Sequence, residues 1–338
     1  MDTITITSTY IAFIFEQLQS QLGGKLQIKE KEYFLELNNT IGTGYIKGMV
    51  IEDAISYLEY TVIFKDDMAI NFINSDNSTV YFGYCSKGLL KQCFGENGKT
   101  RVLEQFQTGI FSNIAGEAMV LNFKKEEEIK LSMISVNSES VLDEALKYQL
   151  QNVFTPNDTE HTFAYIGSFN LTIAEKIQHM GLVSQKGVVR NLLIGGMARQ
   201  IMALEIQQYS EDLLNIDNQT GSLTKSEMED ISEISEFIKN YPEIQYSLNY
   251  LSKKSGLSAY KLQEGFKVMH GRTVTDYIRN VRVEAAEKLI RTSDLNISEI
   301  VYTVGLTSRS YFSKIFKEKY DCSPKYYQNH QNSVAVTA

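Results

Sequence analysis

Apolar positions change rhythm along this chain of 338 residues. Up to about residue 140, short runs are rich in β-branched and aromatic residues and often alternate with polar ones: Tyr33 to Leu37, Leu58 to Phe64, Met68 to Ile73, Val80 to Tyr84 and Ile129 to Ile134. Turn-forming pairs such as Asn38-Asn39 and Asp66-Asp67 part them. Runs of this length and period predict strands, and their regular succession predicts a closed or sandwiched antiparallel sheet. From about residue 156 the period becomes helical. Leu171 to Met180 predicts one helix, and Val188 to Leu214 a longer one with Val189, Leu193, Met197, Ile201 and Leu204 as its stripe. Gly195-Gly196 weakens that helix by about 1 kcal/mol per glycine, which predicts a kink or the close approach of another backbone. Asn215 to Thr224, with Gly221-Ser222, reads as a linker. The acidic run Glu227 to Glu236 interleaves with Met228, Ile231, Ile234, Phe237 and Ile238, an amphipathic helix that opens a last domain.

That last domain repeats itself. Ser258 and Ser308, Leu262 and Phe312, Phe266 and Phe316, Thr273 and Ser323, and Tyr277 and Tyr327 all stand 50 positions apart. Each copy begins at a turn glycine, Gly256 or Gly305, and each predicts two helices set steeply across a tight turn. Glycine takes the positive φ that ends one helix, and Ser258, Ser308, Thr273 and Ser323 are placed to accept from free N–H groups of the next. Pro324 suits a first helical position, where its missing N–H costs nothing.

With the apolar positions buried, Tyr260, Gln263, Glu264 and Lys267 fall on one outward stripe, and Ser310, Ser313, Lys314 and Lys317 on its counterpart, which Arg309 joins at the helix start. Arginine, lysine, glutamine and serine hydrogen-bond base edges when a helix lies in the major groove of double-stranded DNA. Between the copies, Val274 to Arg291 predicts a continuous helix with Ile278, Val281, Ala285 and Leu289 on its inner side. Its roughly 27 Å suits a spacer between reading helices in successive grooves about 34 Å apart. A charged helix face is often only solvated, but two matching copies favour DNA binding.

The run from Gly305 to Lys317, followed by Cys322-Ser323-Pro324-Lys325-Tyr326-Tyr327, closely resembles the C-terminal DNA-binding region of AraC/XylS-type bacterial transcription regulators. The resemblance covers roughly residues 225 to 330. An aromatic residue commonly stands in such proteins where this chain has Leu306, and glycine often replaces Asp321. Glu264 departs more consequentially, because an acid there accepts from cytosine N4 but repels phosphate. The resemblance implies a transcription activator with RNA polymerase and a second copy of the chain as partners, the helix after the sheet making the dimer contact unless it packs on its own barrel. It also implies a cupin-like β-barrel at the N-terminus that senses a small-molecule effector.

The expected architecture is therefore α+β and multidomain. Residues 1–150 form an antiparallel, cupin-like β-barrel, 151–220 a helical connector, and 221–338 an all-α domain with tandem helix-turn-helix units. Phe64, Phe72, Phe82 and Tyr84 are candidates to line the effector pocket, although alternating aromatics also fill barrel cores.

Charge sharpens this division. Residues 244 to 330 hold 14 Lys and Arg against 8 Asp and Glu, a balance of +6, while the chain stands at −8, leaving −14 for the rest. A positive module favours phosphate contact and the acidic remainder disfavours it. His161, His179, His270 and His330 are the only histidines, so the strand region lacks the clustered imidazoles of a metal-dependent cupin enzyme, and no metal or cofactor is expected. Cys85, Cys93 and Cys322 have no metal-ligand spacing. No apolar run reaches membrane-spanning length and the start carries no basic leader, so a cytoplasmic protein is expected. Two alternatives stay open: an N-terminal domain that binds a protein in place of a small ligand, and a metal-free β-barrel enzyme fused to a helical tail.

Overall fold

The computed structural model describes residues 2–52, 54–75, 78–95, 98–155, 162–214 and 223–330. The chain divides into two compact units, Met1–Gln219 and Thr220–Ala338. Of the expected linker, residues 215–222 lie outside the described residues, as does His161.

The first unit is built on two sheets. The smaller holds, in spatial order, β1 (Asp2–Ile6), β6 (Met68–Ile73), β11 (Ala118–Phe123), β8 (Leu89–Phe94) and β9 (Arg101–Glu104). The larger runs β13 (Phe163–Phe169), β10 (Gln107–Ser112), β7 (Thr79–Lys87), β12 (Glu128–Asn137), β5 (Ile55–Phe64), β4 (Gly42–Glu52), β3 (Glu32–Asn38) and β2 (Lys25–Lys29). All five predicted strand runs fall inside these strands. The ladders stay open, however, so the closed barrel expected is replaced by two sheets that share a core. Pairing is antiparallel except between β1 and β6, which run parallel.

One cluster fills the space between the sheets. Ile70, Phe72, Leu121 and Phe123 from the smaller sheet meet Leu58, Tyr60, Leu131 and Met133 from the larger. A helix missed by the sequence reading closes this core: α1 (Ile11–Leu22) buries Ile14, Phe15, Leu18 and Leu22. Its apolar spacing of three and four was visible in the sequence, but the strand-rich surroundings hid it.

The segment expected as a connector belongs to this unit. After α2 (Glu144–Gln149) and a π-helical turn at Leu150–Phe154, β13 joins the large sheet beside β10. Then α3 (Leu171–Gly181) and α4 (Gly187–Leu214) follow, both close to the spans predicted. The inner face of α4 is displaced from the predicted stripe: Ile194, Ala198, Ile201 and Met202 are buried, whereas Val189 and Leu193 are exposed with Val188 and Leu192. This helix is apolar on nearly every side in its first half, so periodicity could not select a face. Gly195 does mark a close approach, since a Cβ there would lie 2.9 Å from Cγ2 of Ile51 in β4, but Gly196 meets nothing within 4 Å.

The second unit is helical over its described residues: α5 (Lys225–Asn240), α6 (Leu248–Ser255), α7 (Ala259–His270), α8 (Val274–Thr292), α9 (Ile297–Thr303), α10 (Arg309–Tyr320) and α11 (Pro324–His330). The opening helix is held by a capping box in which Thr224 accepts from the Glu227 N–H and the Glu227 side chain accepts in return. Lys261 bonds that same carboxylate, and this contact above all holds Glu227 below the usual carboxylate range. Two cores result. Ile231, Leu251, Leu262 and Phe266 are buried around α5–α7, and Ile300, Val301, Phe312 and Phe316 form the second with one side of α8. In α8 itself the buried side chains are Val274, Tyr277, Val281, Val283, Ala286 and Ile290, so of the four predicted inner residues only Val281 is fully enclosed. That helix serves two cores on different sides, which a single stripe could not describe.

Candidate nucleic-acid interface

The copies of the repeat hold α7 with the start of α8, and α10 with α11, while each turn glycine joins its copy to the helix before it, so the helix-turn-helix pairs are α6–α7 and α9–α10 and not the two helices predicted within each copy. At the turns, Gly256, Gly271 and Gly305 take φ of 75°, 65° and 78°, and Asp321 takes the left-handed role at 57°. Asp tolerates this conformation better than most side chains, which explains how the chain departs from glycine there. At Gly305 the demand is doubled, because a Cβ would also sit 2.6 Å from the Glu243 carbonyl oxygen. All four predicted caps form: Ser258 Oγ accepts from Lys261 N at 3.3 Å, Ser308 Oγ from Tyr311 N at 3.2 Å, Thr273 Oγ1 from Asp276 N at 3.2 Å and Ser323 Oγ from Tyr326 N at 3.1 Å. The first two bonds fix where α7 and α10 begin, and hence which side chains their first turns present, and the other two start α8 and α11.

On α7, Tyr260 is 72% exposed and Lys267 is exposed, while Gln263 and Glu264 are half-buried. The Gln263 carbonyl oxygen accepts from the Val274 N–H at 3.3 Å, so half of its amide is engaged at the start of α8. On α10, Arg309, Ser310, Lys314 and Lys317 are exposed and Ser313 is half-buried. The Lys314 side chain is 74% exposed and only 4.0 Å contact with Glu318 ties it down. Arg309 and Lys317 make no ion pair among the described residues. The structure thus brings the predicted residues together in two sets of side chains on two capped helices.

The repeat offset pairs Glu264 with Lys314. The same outward place therefore carries opposite charge in the two copies, and α10 is the more cationic helix. One residue escaped the sequence reading: Tyr311, 45% exposed in the first turn of α10, where its repeat partner is the Lys261 that binds Glu227. An aromatic directly beside Phe312 reads as core, and only the helical phase shows that it faces outward. Other cations are committed elsewhere. Lys319 binds Asn280 and Glu284 at 2.6 Å each, and Arg282 donates to the Pro242 and Ile244 carbonyls at 3.0 and 2.8 Å. The 19 residues of α8 span roughly 28 Å at helical rise, the spacer length expected.

The aromatic candidates of the first unit have a different placement. Phe64, Phe72, Phe82 and Tyr84 are each 1% exposed. Phe64 packs edge-on against Phe123 and Phe72 lies beside Tyr81, both between the sheets. Phe82 and Tyr84 occupy the other face of β7, where Phe82 meets Phe154 and the Tyr84 hydroxyl donates to the Asn170 carbonyl at 2.7 Å. These four rings fill packing positions on two faces and do not converge. Among the described residues no group of three or more His, Cys, Asp or Glu is arranged to hold a metal ion, and no helix is long and apolar enough to cross a membrane.

Residues 251–330 match a family model described as a helix-turn-helix domain. Among curated proteins, the chain is 29% identical over 125 residues to the HTH-type transcriptional regulator AlkR of Acinetobacter baylyi, covering 37% of this chain and 41% of AlkR. It is 29% identical over 99 residues to the regulatory protein SoxS of Escherichia coli, covering 29% of this chain and 92% of SoxS. The chain spans less than half the length of the first curated relatives it matches. Among solved structures, the C-terminal domain of the two-component response regulator yesN from Fusobacterium nucleatum is 35% identical, covers 29% of this chain and 95% of that one, and superposes with a TM-score of 0.27.

Proposed function

We propose, for a chain that belongs to the AraC/XylS family of helix-turn-helix transcription regulators, that α7 and α10 enter neighbouring major-groove segments of double-stranded DNA and that the N-terminal unit adjusts this binding. The observation that carries the reading is the duplicated turn: four hydrogen-bonded caps and four left-handed residues set the same two-helix geometry twice, with Tyr260 and Lys267 exposed on α7 and Arg309, Lys314 and Lys317 exposed on α10. Arg309 and Lys314 read base edges, Ser310 and Ser313 support them, and Lys267 and Lys317 hold phosphate. Tyr260 stacks or touches a thymine methyl, and Gln263 and Glu264 confer weaker readout on the first helix.

In the N-terminal unit, the two facing sheets are compatible with a cupin-like sensor of a small effector, acting through unequal affinity for two arrangements of the protein. The division at residue 150 is dropped in this reading, with α3 and α4 assigned to the sensor, and the division near 220 is kept. The exposed Val188, Val189, Leu192 and Leu193 on α4 favour a homodimer over a helix that serves only its own sheet. Activation through RNA polymerase and a cytoplasmic location follow from the family. No covalent chemistry is assigned to the chain.

The test is a footprint of the purified protein on its own promoter region, followed by Lys314→Ala on the protected site. If Lys314 reads a base, the variant loses about 1–3 kcal/mol and relaxes preference at one position. Uniform weakening across sites reassigns it to phosphate, and absence of any protected sequence overturns the reading.

A further inference from the structure

The outer face of the large sheet, away from the core between the sheets, carries a cavity of about 210 Å³. Its floor is the β2–β5 edge of the sheet, and its roof is the end of α3 and the first turns of α4. Phe34, Met49, Met180 and Ile194 supply apolar walls. Two ion pairs bound it: Arg190 Nε to Glu32 Oε1 at 2.7 Å, and Lys47 Nζ to Glu59 Oε1 at 3.5 Å. At its inner end the Tyr57 hydroxyl lies 3.0 Å from Ser132 Oγ and donates to Glu59 Oε2 at 3.3 Å. Burial first, then the Glu59 charge, raises the Tyr57 phenol well above its ordinary value, so it stays a donor.

The charges do not cancel. With Lys47 matched by Glu59 and Arg190 by Glu32, Lys29 remains, and it has no ion pair or hydrogen bond among the described residues. A second concavity shares Lys29, Glu32 and Arg190, continues along Ser184–Gly187 and adds Glu30 and Lys186, whose opposite charges offset, so a surplus of one cation stands where the cavity meets solvent. An apolar chamber with a few convergent polar groups and one excess positive charge at its mouth is complementary to a molecule with an apolar body and one negative end. The volume lies below the ~300 Å³ at which drug-sized sites begin, so that molecule is small.

We propose that this cavity binds a small organic carboxylate, its apolar body between Phe34, Met49 and Ile194 and its carboxylate at Lys29 and Arg190. This deepens the sensing role proposed above and rests on it for its regulatory meaning. Arg190 and Ile194 stand in the first turns of α4, so an occupant ties that helix to β3 and β4 and resists its displacement from the sheet. The site is distinct from the intersheet core, where the aromatic candidates Phe64 and Phe72 lie.

The full chain is titrated in thermal-shift assays with isovalerate, benzoate and phenylacetate, and with phenylacetamide and phenethylamine as uncharged and cationic counterparts of phenylacetate. At least one carboxylate is expected to raise Tm saturably, with phenylacetamide and phenethylamine about tenfold weaker than that carboxylate or inert. Lys29→Gln, at an exposed side chain, should leave the unliganded Tm unchanged and weaken that carboxylate by about tenfold. Met49→Trp, which fills the chamber, should abolish the response; if it fails to fold, the Lys29 variant still decides. No saturable shift with any of the three carboxylates overturns the proposal, as does an equal response to amide or amine, or an undiminished one in Lys29→Gln. Promoter footprinting without added ligand is run on the same protein, so loss of the pocket proposal leaves the DNA-binding reading standing, and the reverse.

Discussion

At the scale of single residues, the most informative side chain is one that makes no bond. Glu205 of α4 is fully buried, and neither of its carboxyl oxygens has a hydrogen-bond partner among the described residues. Burial raises its pKa well above the ordinary carboxylate value, so it is held neutral. The pH dependence has a definite sign. Below the unfolded value both states are protonated and nothing is lost. As pH rises past it, the unfolded chain ionises while the folded one does not, and stability falls up to the folded pKa. Glu205→Gln should therefore melt higher than the parent at pH 8, by about 1.4 kcal/mol for each tenfold difference in proton affinity, and the advantage should shrink towards pH 4.5. Equal melting temperatures across that range would show that the carboxyl finds a charged partner. Nothing in the sequence separates Glu205 from Glu211, which is exposed, or from Asp212, which accepts from Tyr165 and Ser168.

At the scale of elements, the C-terminal helices were legible because their boundaries are written in local chemistry. Gly256, Ser258, Thr273, Gly305, Ser308 and Ser323 each fix a φ or a cap without help from distant residues. The strands were legible as strands but not by face. Every residue of β7 from Thr79 to Cys85 is buried, because the large sheet is covered on both sides, and alternation then carries no information about which aromatics share a core. The same ambiguity displaced the expected face of α4. Phe316 shows the opposite case: it is fully buried, packs edge-on with Phe312 and touches Tyr320 and Tyr327, as its place in the repeat predicts. Phe316→Ala should cost about 3–5 kcal/mol, read by chemical denaturation of the helical unit. An unchanged midpoint would mean that the second core holds without it.

At the scale of the whole molecule, an acidic protein contains a basic part. The balance of +6 over residues 244–330 against −8 for the chain means that net charge is a poor guide to what the last unit binds. A fragment of residues 223–330 should keep salt-sensitive DNA binding, with log K falling by about 0.9 per log unit of salt for each phosphate contacted. A flat salt response would remove phosphate from the interface. The opposite charges at Glu264 and Lys314 have a consequence for the target. If both helices engage one duplex, swapping their grooves sets a carboxylate where an ammonium had been, so the protein has a front and a back on its site. Its operator then carries an arrow, and inverting that sequence in place should exchange the promoter flanks that α7 and α10 occupy.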